Sequence, residues 1–455
     1  MAPSGFVRRH VRSQIAGMNE AHISRVSVKK LFGKYSFPDI YLNVDGRSNA
    51  NIAFLYGDNG VGKTTILKLI YSLLAPQSND GRRGILARTK FSSFSVEFSN
   101  GQVVKAARPE GEYIGPYSYE FRGPVVNNTF LVKPEPGGHV PATGIDPGLI
   151  SALISVSPTI VFINDHRTVR STYPPWDAKN YLRHTRRAPH GVMYQYDESG
   201  GATPIDVDSI VNTGLDSILA QTHDFITDRA IRTNSRANVG VGKVYVDIAT
   251  AVASSSRRTS GISDRKLATF LDRLAKLQSK LVEFSKYGLL EGQHLDMISG
   301  VVSQAAQGRR AALMDVLEPY VSSIEKRIDS NAELLDIMSS FELCLNRFLN
   351  KKSLTFRLGQ PIRFVDDDQH TIPAAELSSG ERHLVYLCCA SLLSRDRNTL
   401  ILVDEPELSL NYKWQRALVE SLLSLAADRS QFIMATHSFE IISKYRDNAV
   451  ELDAV

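Results

Sequence analysis

Apolar residues run unbroken through Ile52, Ala53, Phe54, Leu55 and Tyr56, and again through Leu400, Ile401, Leu402 and Val403. Short continuous runs of this kind predict strands buried on both faces. Ile66, Leu67, Leu69, Ile70, Leu73 and Leu74 follow at helical spacing, so a helix is expected behind the first run. Upstream, Ile23, Val26, Val28 and Leu31 alternate with polar residues, as edge strands do. Residues 91–133 read as β structure, with Asn100-Gly101 as a hairpin turn between Phe94–Phe98 and Val103-Val104. Residues 134–150 are rich in proline and glycine and read as a loop, and Ile160 to Ile163 returns to a sheet.

Beyond Arg170 the pattern changes. Residues 171–207 read as loops with at most a short helix, and the chain from Ile210 to residue 350 reads as mostly helical. Leu267, Phe270, Leu271, Leu274, Leu277, Leu281 and Phe284 form a stripe at helical spacing with charged residues between them. That stripe fits one leg of a short coiled-coil arm and equally the inner face of a compact helical subdomain.

Composition narrows the classes. With 455 residues, 43% hydrophobic and 22% charged, the chain has ample material for a core. Cys344, Cys388 and Cys389 show no metal-ligand spacing, and the adjacent pair sits in an apolar helical run. They read as core residues of a reducing compartment. The apolar run from Leu384 to Leu393 is too short to span a bilayer. Arg8, Arg9 and Arg12 precede no apolar segment, so residues 1–20 read as a basic tail rather than a signal peptide, and the cytoplasm is the expected location. The net charge of +5 is mild. Basic clusters at Arg82-Arg83 with Arg88 and Lys90, at Arg183, Arg186 and Arg187, at Arg257-Arg258 and at Arg309-Arg310 either touch phosphate backbones or an acidic partner, or are solvated surface.

The chemistry concentrates at the two ends of the chain. Gly57-Asp58-Asn59-Gly60-Val61-Gly62-Lys63-Thr64 fits the phosphate-cradling pattern at every fixed position, between an expected strand and an expected helix. Its backbone N–H groups and the helix start favour an anion. Lys63 is expected to reach the terminal phosphates of ATP and the Thr64 hydroxyl to ligate Mg²⁺, with Asn59, Gly60, Gly62 and Thr65 lining the same loop. Asp404 and Glu405 stand at the tip of an apolar strand, where unpaired carboxylates are costly. Asp404 is read as holding Mg²⁺ through water and Glu405 as polarising the attacking water. Leu377-Ser378-Ser379-Gly380-Glu381 alone reads as a loop leading into a helix, and His437 at the end of Met434-Ala435-Thr436 alone reads as structural rather than catalytic.

Taken together and in this order, these segments resemble a soluble ATP-binding-cassette (ABC) ATPase. Gly57–Thr64 matches the Walker A loop, Leu377–Glu381 the signature, Leu400–Glu405 the Walker B strand with its glutamate, Glu407–Asn411 the D-loop, and His437 the switch histidine. Within that family the chain is most similar to the OLD (overcoming-lysogenisation-defect), Septu and PARIS ATPases of anti-phage defence, through Ser378–His383, Asp404–Leu410 with Trp414-Gln415, and Ala435–Ser438 with Ile441-Ile442. The SMC, RecF and double-strand-break-repair cassettes share much of this, although no C-x-x-C hook is present.

The resemblance implies an α/β fold, an ABC-type P-loop cassette interrupted by a mainly helical insertion. Its parts would be a tail at 1–20, the head at 21–170, the insertion at 171–350 and the second half of the head at 351–455. It also implies that Ser378, Ser379, Gly380 and Glu381 of one copy cover the ATP held by another, in a head-to-tail homodimer or higher oligomer. His166 stands where the family places a glutamine near the γ-phosphate and the metal, or else belongs to a surface loop. Tyr35 stacks on adenine or packs within its strand. The expected role is an ATP-hydrolysing sensor or scaffold that controls a separate nuclease or toxin and answers to a phage-encoded trigger. The chain after His437 leaves no room for a nuclease of its own, and no membrane partner is expected. The alternatives are a repair or recombination ATPase that clamps DNA directly, and a nucleotide-gated assembly protein.

Overall fold

The computed structural model describes residues 21–42, 51–76, 82–164, 169–171, 185–187, 193–196, 202–204, 215–238, 264–290 and 295–452. The chain divides into two compact units, Met1–Ile218 with Leu377–Val455, and Leu219–Glu376.

The first unit holds two large sheets. Strands β1 (Ile23–Lys29), β2 (Ile40–Tyr41) and β3 (Ile52–Tyr56) are followed by β4 (Ser93–Phe98), β5 (Val103–Ala107), β6 (Tyr117–Arg122) and β7 (Asn128–Val132). Then come β8 (Thr159–Ile163), β9 (Val169–Ser171) and a small antiparallel sheet of β10 (Thr185–Arg187), β11 (Met193–Tyr196) and β12 (Ala202–Pro204). An antiparallel sheet runs in the order β2-β1-β4-β5-β6-β7. β1 lies inside it rather than at its edge, because two-residue β2 takes the outer position. The three-residue step from Ile23 to Val26 breaks strict alternation, and a register shift between Ile23 and Arg25 absorbs it. Ile23, Val26 and Val28 therefore all point inward. The Asn100-Gly101 turn forms as expected: Asn100 Oδ1 accepts from Gln102 N at 3.0 Å, and Gly101 takes φ 79°.

The second sheet is built on parallel pairing. Strands β13 (Lys352–Thr355), β14 (Arg363–Asp366) and β15 (Thr371–Ile372) belong to the other unit, whereas β16 (Thr399–Asp404), β17 (Ser430–Thr436) and β18 (Ala449–Glu451) return to this one. The order is β18-β3-β17-β16-β8-β9, parallel except for β9. Ala53 and Leu55, Leu400 and Leu402, Ile433 and Ala435, and Ile160 and Phe162 line one face of it. They share a core with the helix Lys63–Leu74 and the inward side chains of the antiparallel sheet. Gln431 ties the two sheets together, accepting from Ile23 N at 2.7 Å and donating to Ile23 O at 2.8 Å.

Arg82 and Arg83 are buried in this core, so neither is available to a nucleic-acid backbone. Arg83 donates to the carbonyls of Ser72 and Ala75, and the Tyr119 hydroxyl donates to Leu73 O. These are the carbonyls left over at the end of helix Lys63–Leu74, where a cation is favoured. The Arg82 guanidinium lies 4.2 Å from the Tyr71 ring centroid. Burial pushes the Tyr119 hydroxyl up to about 12. It also draws Arg108, which donates to Phe91 O at 2.9 Å and Leu86 O at 2.7 Å, down to about 10. Two expectations of loops are corrected: helix Pro147–Val156 begins inside the first, with Asp146 as N-cap and Pro147 in the first turn, and the antiparallel strands β10, β11 and β12 form within residues 171–207.

The second unit is mainly helical. Phe270, Leu274, Leu277, Leu281 and Phe284 are the buried stripe of helix Asp264–Lys286, at alternating steps of four and three. Val321, Ile324 and Ile328 continue the seam on helix Gln307–Asn346. Arg273 pairs with Glu318 and Glu325, and Lys286 with Glu342, so both helices climb in the same direction. β13, β14 and β15 form a small antiparallel sheet after them.

Candidate functional site

The tips of β3, β16 and β17 meet because these three strands are neighbours and parallel, with β17 between the other two. Each tip carries one of the sequence-selected segments.

Beyond β3 the loop turns through Gly57, Gly60 and Gly62 with φ of 152°, 85° and 107°. Gly62 is also in close contact: a Cβ there would meet Leu31 Cδ2 at 3.0 Å and Phe32 Cε2 at 3.1 Å. It is the N-cap of helix Lys63–Leu74 and supplies no side chain to the first-turn amides, and no acidic residue lies in that turn. Those N–H groups therefore suit an external anion. Lys63 is buried, with Nζ donating to Gly57 O at 2.6 Å and Asp58 O at 2.8 Å. Asn59 and Gly60 are exposed, and Thr65 is half-buried.

The Thr64 hydroxyl donates to Asp404 Oδ1 at 2.9 Å, joining residues 340 positions apart in the chain. Asp404 is fully buried at the tip of β16. A hydroxyl and a carboxylate at this separation are a suitable donor set for a hard divalent cation such as Mg²⁺. Glu405 follows with φ 51°, an uncommon conformation for a residue with a Cβ, and its N–H donates to Ala435 O at 2.9 Å. Glu405 stays half-buried beside Asp404.

Ser378 caps helix Ser379–Leu393 in a reciprocal box, its Oγ accepting from Glu381 N while Glu381 Oε2 accepts from Ser378 N at 2.7 Å. The Glu381 carboxylate is thereby committed to its own helix start. Gly380 is pressed against the turn after β16: a Cβ there would lie 2.6 Å from Ser409 O and 3.5 Å from Trp414 Cζ3.

At the tip of β17 the His437 ring is half-exposed, with Nδ1 3.1 Å from Glu407 Oε1. The sequence placed Glu407 in the D-loop without giving it a role; its signal was a third carboxylate three residues past the end of β16. Tyr35 packs beside Phe37, ring centroids 6.1 Å apart, whereas the ring against Gly62 is that of Phe32. His166 lies outside the described residues, as do Arg183, Arg257 and Arg258. Among the described residues, no helix is long and apolar enough to cross a membrane.

Residues 241–443 match a family model described as an AAA domain, putative AbiEii toxin, Type IV TA system. The match takes in the signature, the Asp404-Glu405 tip and His437, and leaves out Gly57–Thr64. Comparison with curated proteins found no match. Among solved structures, the chain is similar to an Smc head domain with an extended coiled coil bound to the C-terminal domain of ScpA, from Pyrococcus furiosus, at 13% identity, 95% coverage of this chain, 94% of that one and a TM-score of 0.40. It is also similar to an Smc head domain with a coiled coil and joint from Pyrococcus yayanosii, at 14% identity, 93% coverage of each chain and a TM-score of 0.36. The strand order, the phosphate loop and the matched family region give the chain the α/β fold of an ABC-type P-loop ATPase cassette with a mainly helical insertion.

Proposed function

We propose that this protein binds and hydrolyses ATP with Mg²⁺, and that two copies assemble head to tail around the nucleotide. The observation that carries the reading is the Thr64–Asp404 contact of 2.9 Å beside an uncapped helix start. It puts a metal-ligating hydroxyl and carboxylate next to a phosphate cradle. Magnesium there would offset phosphate charge during transfer to water. Lys63 neutralises the terminal phosphates, Glu405 orients the attacking water, and the N-terminus of helix Ser379–Leu393 offers Ser379 and Gly380 to a nucleotide on the second copy. His437 faces the γ-phosphate of its own copy's ATP.

In this reading the ATPase is a sensor or scaffold in anti-phage defence, controlling a separate nuclease or toxin. The matched family's description as a putative toxin of a toxin–antitoxin system supports that context. A cassette that clamps DNA directly for repair is the second reading, and the burial of Arg82 and Arg83 takes two of the four residues out of one basic cluster that would favour it, Arg88 and Lys90 staying exposed.

Steady-state hydrolysis of Mg-ATP tests the chemistry. Wild type should turn over, Lys63→Ala should lose nucleotide binding, and Glu405→Gln should keep binding while losing turnover at least about 100-fold. Normal turnover by Glu405→Gln refutes the assignment of the base. Co-purification with the product of a neighbouring gene, against DNA-stimulated turnover, separates the two biological readings.

A further inference from the structure

The turn after β16 contains a buried carboxylate that the reaction outlined above does not use. Glu407 is 6% exposed. One of its oxygens, Oε1, accepts from the Thr436 hydroxyl at 2.8 Å and from the His437 backbone N–H at 2.8 Å. The same oxygen lies 3.1 Å from His437 Nδ1. The other oxygen, Oε2, is buried and makes no hydrogen bond among the described residues. A carboxylate is expensive to bury, and the two donors gathered on this oxygen, the Thr436 hydroxyl and the His437 N–H, help to hold it there.

The chemistry of the ring follows. With Nδ1 3.1 Å from an oxygen that already accepts two hydrogen bonds, a proton on Nδ1 is favoured over a lone pair facing that oxygen. Nδ1 is then the protonated nitrogen and Nε2 is left for the other side of the ring. That ring is half-exposed on its remaining surface, so Nε2 is the edge offered to whatever enters the site. The backbone hydrogen bond fixes where the ring starts, and Nδ1 is the ring nitrogen that lies beside the carboxylate. A second tie runs beside the first: Gln415 Nε2 donates to Leu410 O at 2.8 Å, and Ser438 Oγ donates to Gln415 Oε1 at 2.6 Å. The turn bearing Glu407 and the tip bearing His437 are thus held as one piece.

We propose that Glu407 is a positioning residue that sets the tautomer and orientation of His437, presenting Nε2 to the γ-phosphate. The proposal rests on the reading of this site as an ATPase, but its first test does not. Nitrogen-15 spectra of histidine-labelled full-length protein, at about pH 9 so that the ring is neutral, report which ring nitrogen carries the proton. A His437→Gln difference spectrum assigns the signal. Wild type should show Nδ1–H, and Glu407→Ala should move the proton largely to Nε2. A wild-type ring protonated at Nε2 overturns the proposal without any variant of Glu407 having to fold.

Kinetics supply the second test. Glu407→Ala should lower kcat about 10- to 100-fold while KM stays within about threefold. In a His437→Ala background the same change should cost less than about twofold, because its route of action is gone. Glu407→Gln keeps an acceptor for the ring and should restore most of the kcat. Losses that multiply across the two sites, or a Glu407→Gln variant no better than alanine, overturn the positioning role. A wild type without ATPase activity refutes the ATPase reading, and the spectrum still decides the tautomer.

Discussion

Two glycines in helices make opposite predictions for the same substitution. In Gly380→Ala the new Cβ would lie 2.6 Å from Ser409 O, against the 3.4 Å at which ordinary contact begins, so something must move by 0.8 Å (3.4 − 2.6). Neither side gives easily. Ser409 already holds φ 63°, and the helix start is pinned by the Ser378–Glu381 box. Overpacking of this kind costs about 1–3 kcal/mol, whereas the helix-propensity gain of alanine over glycine is at most about 1 kcal/mol. With the full propensity gain subtracted, the clash wins by up to about 2 kcal/mol, a factor of up to roughly 30 in a local opening equilibrium. In Gly300→Ala no atom lies within 4 Å of the new Cβ in helix Leu295–Gln304. Propensity alone acts there and should stabilise by about 0.5–1 kcal/mol. Hydrogen exchange read by mass spectrometry follows each helix separately. Residues 379–393 should exchange faster in Gly380→Ala, and residues 295–304 more slowly in Gly300→Ala. Equal or greater protection of 379–393 in Gly380→Ala would refute the packing argument.

Three other perturbations have expected outcomes. Arg83→Met leaves the buried carbonyls of Ser72 and Ala75 without their donor and should cost about 2–4 kcal/mol in urea unfolding; a loss below about 0.5 kcal/mol would mean the helix end is satisfied otherwise. Thr64→Val removes the hydroxyl from the metal site and should weaken Mg-ATP binding at least about tenfold by calorimetry, with ATP in EDTA much less affected. Glu325→Gln breaks the pair with Arg273, which holds the carboxyl below its ordinary value. A depressed carboxylate stabilises above the unfolded value and loses that stabilisation as pH falls through the folded one. Both side chains are about a third exposed, so the variant should lose no more than about 1 kcal/mol at pH 7, and the gap should close in acid. A gap that widens in acid contradicts the sign.

The parallel sheet was legible because its strands are buried on both faces and so appear as unbroken apolar runs, as in β3 and β16. The phosphate loop was legible because glycines at fixed spacing have few other uses. The signature segment was harder, since Ser378 and Glu381 also satisfy an ordinary capping box. Arg82 and Arg83 misled because charge alone says nothing about burial: their partners are carbonyls at the end of a helix, which no side-chain pattern records. Glu407 was invisible as a functional group for a related reason. Its contacts with Thr436 and His437 span 29 and 30 residues and exist only once β16 and β17 lie side by side. The ring that reaches Gly62 is that of Phe32, and nothing in the spacing of that turn tells which of its rings does so.

The mass of the Glu405→Gln variant in Mg-ATP, measured by light scattering on a sizing column, tests the central claim most directly. The chain has a mass of 50.4 kDa. Turnover being blocked, the variant should elute at a multiple of that mass with ATP and as a single chain without nucleotide. A variant that binds ATP stoichiometrically yet stays a single chain would contradict the claim that two copies close around the nucleotide.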